Sequence, residues 1–347
     1  MPDAPDAQAE AMTEDAEELP EPPHWRLLTS EQVGDAQRGE VRTAGHRRVS
    51  FGLYRSATQG DEWSELVKDL QAFRLVLPEG AAFTHVTGAR LRGWDLPQLP
   101  RQVPVFASVP GDVARPRRCG LIVSRLVSDA PDELRHGLPV AAAEEILLRA
   151  SRDLGTLDVA IMLTSALRVG DIDQQRLERL LASRRPGVRR LRAACHLSDR
   201  KCESPGEVLL KILHDVCDVP ADPQVELFDD RGTSLGRADL LLRGTRHVHE
   251  YDGGHHRDKD QHRTDLRRER GLSPHYERRG FTLDDLLNHP LTVMHELDRL
   301  LERPHQLRRL HRWRSLVLSS CYSEDCRERL HMRWQRLTGQ VEWQPTG

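Results

Sequence analysis

Apolar residues at helical spacing recur through the second half of the chain and thin out toward its start. The clearest stripe lies in GEVLLKILHDVCDV, where Val208, Leu209, Ile212, Leu213 and Val216 predict a helix that ends before Pro220. Further helices are predicted at Trp63 to Phe73 and across 142–197, the latter as two or three helices carrying Ile146, Leu147, Ala150 and Leu154, then Leu177, Leu180 and Leu181. In LPEGAAFTHVTGARLRGWDLP, Thr84 is placed to cap a short helix whose Val86, Ala89 and Leu91 pack inward and which Gly93 ends. His85 in that stretch reads as a packed or hydrogen-bonded structural residue. Strand-like runs stand at Val49 to Tyr54, Val103 to Val109 and Leu121 to Val127. After Pro220 come strands at Val225 to Phe228, Arg237 to Leu242 and His247 to Asp252, with tight turns at DDRG and RGTR. That spacing predicts an antiparallel meander in the order helix, strand, strand, strand, helix.

Composition changes this picture mainly at the ends. The 347 residues are 38% hydrophobic, enough for more than one core. The first 25 hold eight acids and no Lys or Arg, so they cannot bury enough apolar surface to order themselves and are expected to form an acidic disordered tail. Net charge is −3, which leaves the remainder mildly basic and open to a nucleic-acid partner. No apolar run approaches the length of a membrane span, and the start lacks signal-peptide features, so a cytoplasmic protein without a membrane partner is expected. The six cysteines form no CxxC pair and are expected to be reduced.

The organisation expected is a tail (1–25), a reduced winged-helix-like segment (26–60), a mixed middle region (61–197), a compact α/β domain (198–290) and a basic helical tail (291–347). The winged-helix reading takes a helix opening at Thr29 or Ser30 and uses Val49 to Tyr54 as the wing. The last tail has ten arginines between Arg299 and Arg336, interleaved with Trp313 and Trp334. It reads either as a track for a nucleic-acid backbone or as a packed helical pair with the tryptophans inside.

The candidate chemistry sits in ADLLLRGTRHVHEYDGGHHRDKDQHRTDLRRER. Glu250 and Asp252 share a strand face, and the turn after Leu242 brings Asp239 opposite or diagonal to them. Glu207, near the start of the preceding helix, is within reach of the same sheet end. Carboxylates that stay ionised at one point suit Mg2+ or Mn2+, which polarises a phosphodiester and activates water. His255 or His256 could move a proton, and Arg263, Arg267 and Arg268 could meet a DNA backbone, with Asp265 pairing to Arg268. Taken singly, each acid also fits an exposed strand position or, for Glu207, a helix N-terminus.

These residues resemble a known pattern. Glu207 in SPGEVLLKIL, Asp239 in GRADL, Glu250 and Asp252 in EYDGGHH, and Asp265 with Arg268 in DLRRE are similar to the PD-(D/E)XK nuclease superfamily. Within it the likeness is to the very-short-patch-repair (Vsr) branch catalogued as domain of unknown function 559, over about Ser204 to Asn288. The resemblance implies a restriction-endonuclease-like core within an α+β / α/β multi-domain chain, its mixed sheet flanked by helices. It also implies Asp239 and Glu250 as metal ligands, supported by Glu207 and Asp252. The superfamily's lysine position is held here by Asp252, and His249 takes a strand position that is normally apolar. The LPEGAAFTHVTGARLRGWDLP stretch resembles the middle region of AbiEi-type antitoxins. Two functional expectations follow: a metal-dependent endonuclease-like protein acting on DNA, in defence or repair, or a non-enzymatic DNA-binding regulator of the antitoxin type. A degenerate member serving only in protein assembly is a third.

Overall fold

The computed structural model describes residues 36–38, 46–57, 60–126, 133–253 and 274–339. The N-terminal strands β1 (Gln37–Arg38), β2 (His46–Ser50) and β3 (Leu53–Ser56) form an antiparallel sheet in the order β1-β3-β2. VSFGLY is therefore not one strand: Phe51 and Gly52 turn the chain, with Gly52 at φ +61°, and make a hairpin. Helix α1 (Glu62–Arg74) is capped by the Asp61 side chain, which accepts from Ser64 N at 2.6 Å. The hairpin docks on α1 through buried Arg55, which reaches Asp69 at 2.6 Å and also pairs with Glu65, one turn apart on one helix face. The helix expected to open at Thr29 or Ser30 lies outside the described residues.

The middle region builds a five-stranded mixed sheet, order β6-β5-β4-β8-β7, from β4 (Ala82–Phe83), β5 (Val105–Val109), β6 (Leu121–Arg125), β7 (Glu133–Arg135) and β8 (Leu138–Val140). Three of these strands are two or three residues long, too short for alternation to register. Helix α2 (His85–Leu91) starts after Thr84, but the Thr84 hydroxyl makes no cap bond; it is buried with no hydrogen-bond partner among the described residues. Where two or three helices were expected there are four: α3 (Ala143–Ala150), α4 (Thr156–Arg168), α5 (Gln174–Ala182) and α6 (Val188–Cys195).

Helix α7 (Pro205–Val216) then covers a four-stranded sheet in the order β12-β11-β10-β9. Strands β9 (Ala221–Phe228), β10 (Ser234–Leu242) and β11 (His247–Tyr251) form the expected antiparallel meander. A fourth strand, β12 (Glu277–Phe281), pairs parallel to β11, so the order after β11 is not simply a helix. Its ERRGF sequence is exposed at four of five positions and carries no apolar alternation to announce a strand.

Short helix α8 (Leu283–Leu287), α9 (Pro290–Leu300), α10 (Arg308–Leu318) and α11 (Glu324–Thr338) complete the described chain. The fold is thus mixed α+β, with eleven helices among the described residues flanking mixed sheets. A large apolar core runs through it, from Phe83 and Ile161 in the middle region to Leu209, Phe281, Trp313 and Trp334, and a small second cluster of Leu227, Ala238 and Val248 lies in the C-terminal sheet. Trp313 donates to Leu286 O at 2.9 Å and Trp334 to Asp153 at 3.2 Å, so the basic C-terminal segment is packed through its tryptophans. Asp158 ties α4 to the chain before α11: it is fully buried and accepts from Gly155 N at 2.8 Å and Cys321 N at 3.0 Å. No helix among the described residues is long and apolar enough to cross a membrane.

Candidate carboxylate site

Each acid is held by a local device that can be traced to sequence. Ser204 caps α7, its hydroxyl accepting from Glu207 N at 3.2 Å, and Pro205 occupies the first turn, where no amide hydrogen is needed. Glu207 is therefore fixed at the third helical position, and its Oε2 reaches back to accept from Glu203 N at 2.8 Å. Glycine is required at 206: a Cβ there would lie 2.0 Å from Cε1 of the Tyr251 ring, which rests on the start of α7.

Asp239 sits one step along β10 from the Leu240–His249 pair, at the level of Glu250. Its Oδ2 accepts from Tyr251 N at 2.8 Å, so a side chain takes the place of a ladder carbonyl at the end of β11. Gln224 on β9 links the two acids, its Nε2 donating to Glu207 Oε2 at 2.7 Å and to Asp239 Oδ1 at 3.5 Å. Gln224 has φ +53°, a left-handed conformation inside a strand, between the Val225–Ala238 and Pro223–Leu240 pairs. Such a conformation in a non-glycine residue costs on the order of 1–3 kcal/mol and persists only where its surroundings hold it.

Glu250 is buried on the same strand as Tyr251, and Arg278 from β12 binds it through Nε at 2.5 Å and through a second guanidinium nitrogen. Asp252 follows the strand and extends the parallel pairing, donating its N–H to Phe281 O at 2.8 Å. The structure thus brings Glu207 and Asp239 together through one amide and sets Glu250 beside them in an ion pair. Among the described residues, no group of three or more His, Cys, Asp or Glu side chains is placed to hold a metal ion. His255, His256, Arg263, Asp265, Arg267 and Arg268 lie outside the described residues.

The histidine substitution in β11 has a different explanation from membership of this site. His249 is 2% exposed and donates from Nδ1 to Nε2 of His214 on α7 at 2.7 Å, while His214 Nδ1 donates to Leu210 O at 2.8 Å. With both rings neutral, this chain of bonds fixes both tautomers. Burial pushes His214 down to about 4; burial, with His214 alongside, pushes His249 down to about 2. His249 is therefore a polar plug in the α7–β11 interface.

Sequence reading missed Gln224 and Arg278. Gln224 stands in a strand that also carries Asp222 and Glu226, just before the expected strand at Val225 to Phe228, so no local signal set it apart. Arg278 could be placed only once β12 was known. No family model, curated protein or solved structure matches the chain.

Proposed function

We propose that the chain is a metal-dependent endonuclease acting on DNA phosphodiester bonds, with Asp239 and Glu250 holding Mg2+ or Mn2+ and Glu207 and Asp252 beside them. The observation that carries this reading is Gln224: a strained residue whose amide holds two carboxylates at one sheet end. Strain kept at a polar cluster is a signature of sites rather than of scaffolds. The donors are all oxygen, and magnesium commonly takes only one or two carboxylates, filling its shell with water and substrate phosphate. Such an ion would polarise the phosphodiester and lower the pKa of the attacking water. The chain's own groups orient the acids: Tyr251 N–H holds Asp239, Gln224 holds Glu207, and Arg278 holds Glu250. Metal at Glu250 competes with that ion pair.

The same ion pair favours a second reading, a non-enzymatic DNA-binding regulator of the antitoxin type, because Arg278 offsets Glu250 without any metal. Supercoiled plasmid with magnesium, manganese or EDTA separates them. The nuclease reading expects nicking with either metal and its loss in Asp239→Ala and Glu250→Ala. Cleavage by both variants at wild-type rate would remove the assignment, and DNA binding unchanged by EDTA with no cleavage would select the regulator.

A further inference from the structure

A buried guanidinium with unmet hydrogen bonds lies in the middle region, outside the carboxylate site. Arg149, the penultimate residue of α3, is 7% exposed, and its Nε and Nη2 are buried with no hydrogen-bond partner among the described residues. The nearby acid on its own helix, Glu145, is occupied by the fork of Arg185, whose Nη2 lies 2.6 Å from Oε2. Burial, with Arg152 next to it, pushes Arg149 down to about 10, and it remains charged at neutral pH.

Arg149 lines a cavity of ≈ 510 Å3 between the end of α3, strand β6 and helix α11. Arg115, Arg125, Arg152 and Arg333 line it too, against a single carboxylate among the described lining residues, Asp153. That carboxylate is shared by Arg333 at 2.9 Å, His85 at 3.3 Å and Trp334 at 3.2 Å. The buried, unpartnered hydroxyl of Thr84 lines the same space. Beside these donors are apolar and aromatic surfaces: Ile122, Val123, Leu337, and the His85–Phe106 stack with ring centroids 4.0 Å apart. A second cavity of ≈ 710 Å3 shares Arg115 and Arg125 and adds Arg117, Arg118 and Arg336.

We propose that this cavity binds a phosphate group carried on a nucleotide, either free or as a unit of a nucleic-acid strand. A carboxylate satisfies one arginine fork, whereas a phosphate presents its non-bridging oxygens, two in a strand and three in a terminal monoester, tetrahedrally to forks arriving from different elements. The volume matches a nucleotide-sized ligand, and the aromatic and apolar wall suits a base or sugar. The adjoining arginine-lined cavity gives a strand somewhere to continue. The inference is independent of the nuclease reading.

The test uses the full chain in chloride buffer with EDTA, so that metal at the carboxylates contributes nothing. Inorganic phosphate, a nucleoside monophosphate and a short single-stranded oligonucleotide are titrated by calorimetry and thermal melting against wild type, Arg149→Met and Arg115→Ala. Wild type is expected to bind the nucleotide or the strand and to melt higher with it. Arg149→Met is expected to weaken binding at least about tenfold, as loss of a charge-assisted fork should, yet to melt higher than wild type without ligand. Arg115→Ala, an exposed position, keeps the question open to test should Arg149→Met fail to fold, and is expected to weaken binding several-fold. Equal affinity for monophosphate and oligonucleotide assigns a free nucleotide; a strand preference that falls with salt assigns nucleic acid. No binding by wild type, or binding unchanged in both variants, overturns the proposal.

Discussion

Glu250 and Arg149 are both charged and both 7% exposed, yet they sit in opposite surroundings. Around Glu250 and its neighbours the fold supplies the partners: Arg278 for Glu250, Gln224 for Glu207, and Gln224 with the Tyr251 N–H for Asp239. Around Arg149 the described residues leave Nε and Nη2 without a hydrogen-bond partner, and the one acid acting on it, Glu145, is held by Arg185. A buried charge loses several kcal/mol of hydration and is tolerated when something returns that energy. In the C-terminal sheet the return is internal. In the middle region two guanidinium nitrogens of Arg149 are left without that return, which is the demand that the proposed phosphate would meet.

Acid should separate the two regions most. His214 and His249 are held neutral at about 4 and about 2, below their unfolded value, so the unfolded chain binds more protons between about pH 6.5 and 4 and stability falls as pH drops through that window. Asp158 acts in the opposite sense. Burial pushes it up to about 7, so the folded chain holds an extra proton from about pH 4 to 7 and its contribution is lost as pH rises. Each proton corresponds to about 1.4 kcal/mol per pH unit. Denaturant titrations across this range should show a steeper acid loss in Asp158→Asn and a shallower one in His249→Asn, whose amide can still donate to His214. Parallel curves for the three proteins would mean that these groups titrate normally in the fold.

The ion pair gives the next effect in size. Arg278→Met should cost about 2 kcal/mol by chemical denaturation, below the full value of a buried pair because Arg278 is partly exposed. Glu250→Gln in the same chain should recover most of that loss. A double variant as unstable as the single one would place the stabilisation in packing instead of charge.

The smallest effect concerns the arginine-rich C-terminal helices. Arg309 bonds Asp298 at 2.9 Å and Asp218 at 3.2 Å, whereas Arg312 and Arg314 are exposed. Arg312→Ala and Arg314→Ala should each change stability by less than about 0.5 kcal/mol. Arg309→Ala should cost more, since fully buried Asp298 would lose one of its donors. Equal, negligible losses at all three positions would mean that Asp298 does not need that donor.

What could be read from the chain follows element length and side-chain range. Helix α7 and the meander were legible because their apolar stripes and turns are local; the same spacing put Asp239 opposite or diagonal to Glu250 and Asp252, and the register narrows that to the level of Glu250. Strands β4, β7 and β8 were too short to show a period, and β12 gains its place by parallel pairing rather than by apolar content. The groups that hold the acids were out of local range: Gln224 and Arg278 approach from strands 15 and 28 residues away in sequence. Arg149 was invisible for the complementary reason: an arginine near the end of an amphipathic helix reads as solvated until its surroundings are known.

Trp334 on the last helix donates to Asp153, 181 residues earlier, and its ring meets Phe106 edge-on at 5.3 Å. During synthesis this contact cannot exist until α11 has left the ribosome. At about 5–20 residues per second, the wait after Asp153 is roughly 10–40 s. Throughout that interval the His85–Phe106 face and the arginines beside it stand open on a half-finished chain. Truncation before Glu324 would make the interval permanent, leaving an apolar and cationic surface for chaperones or free polyanions to occupy.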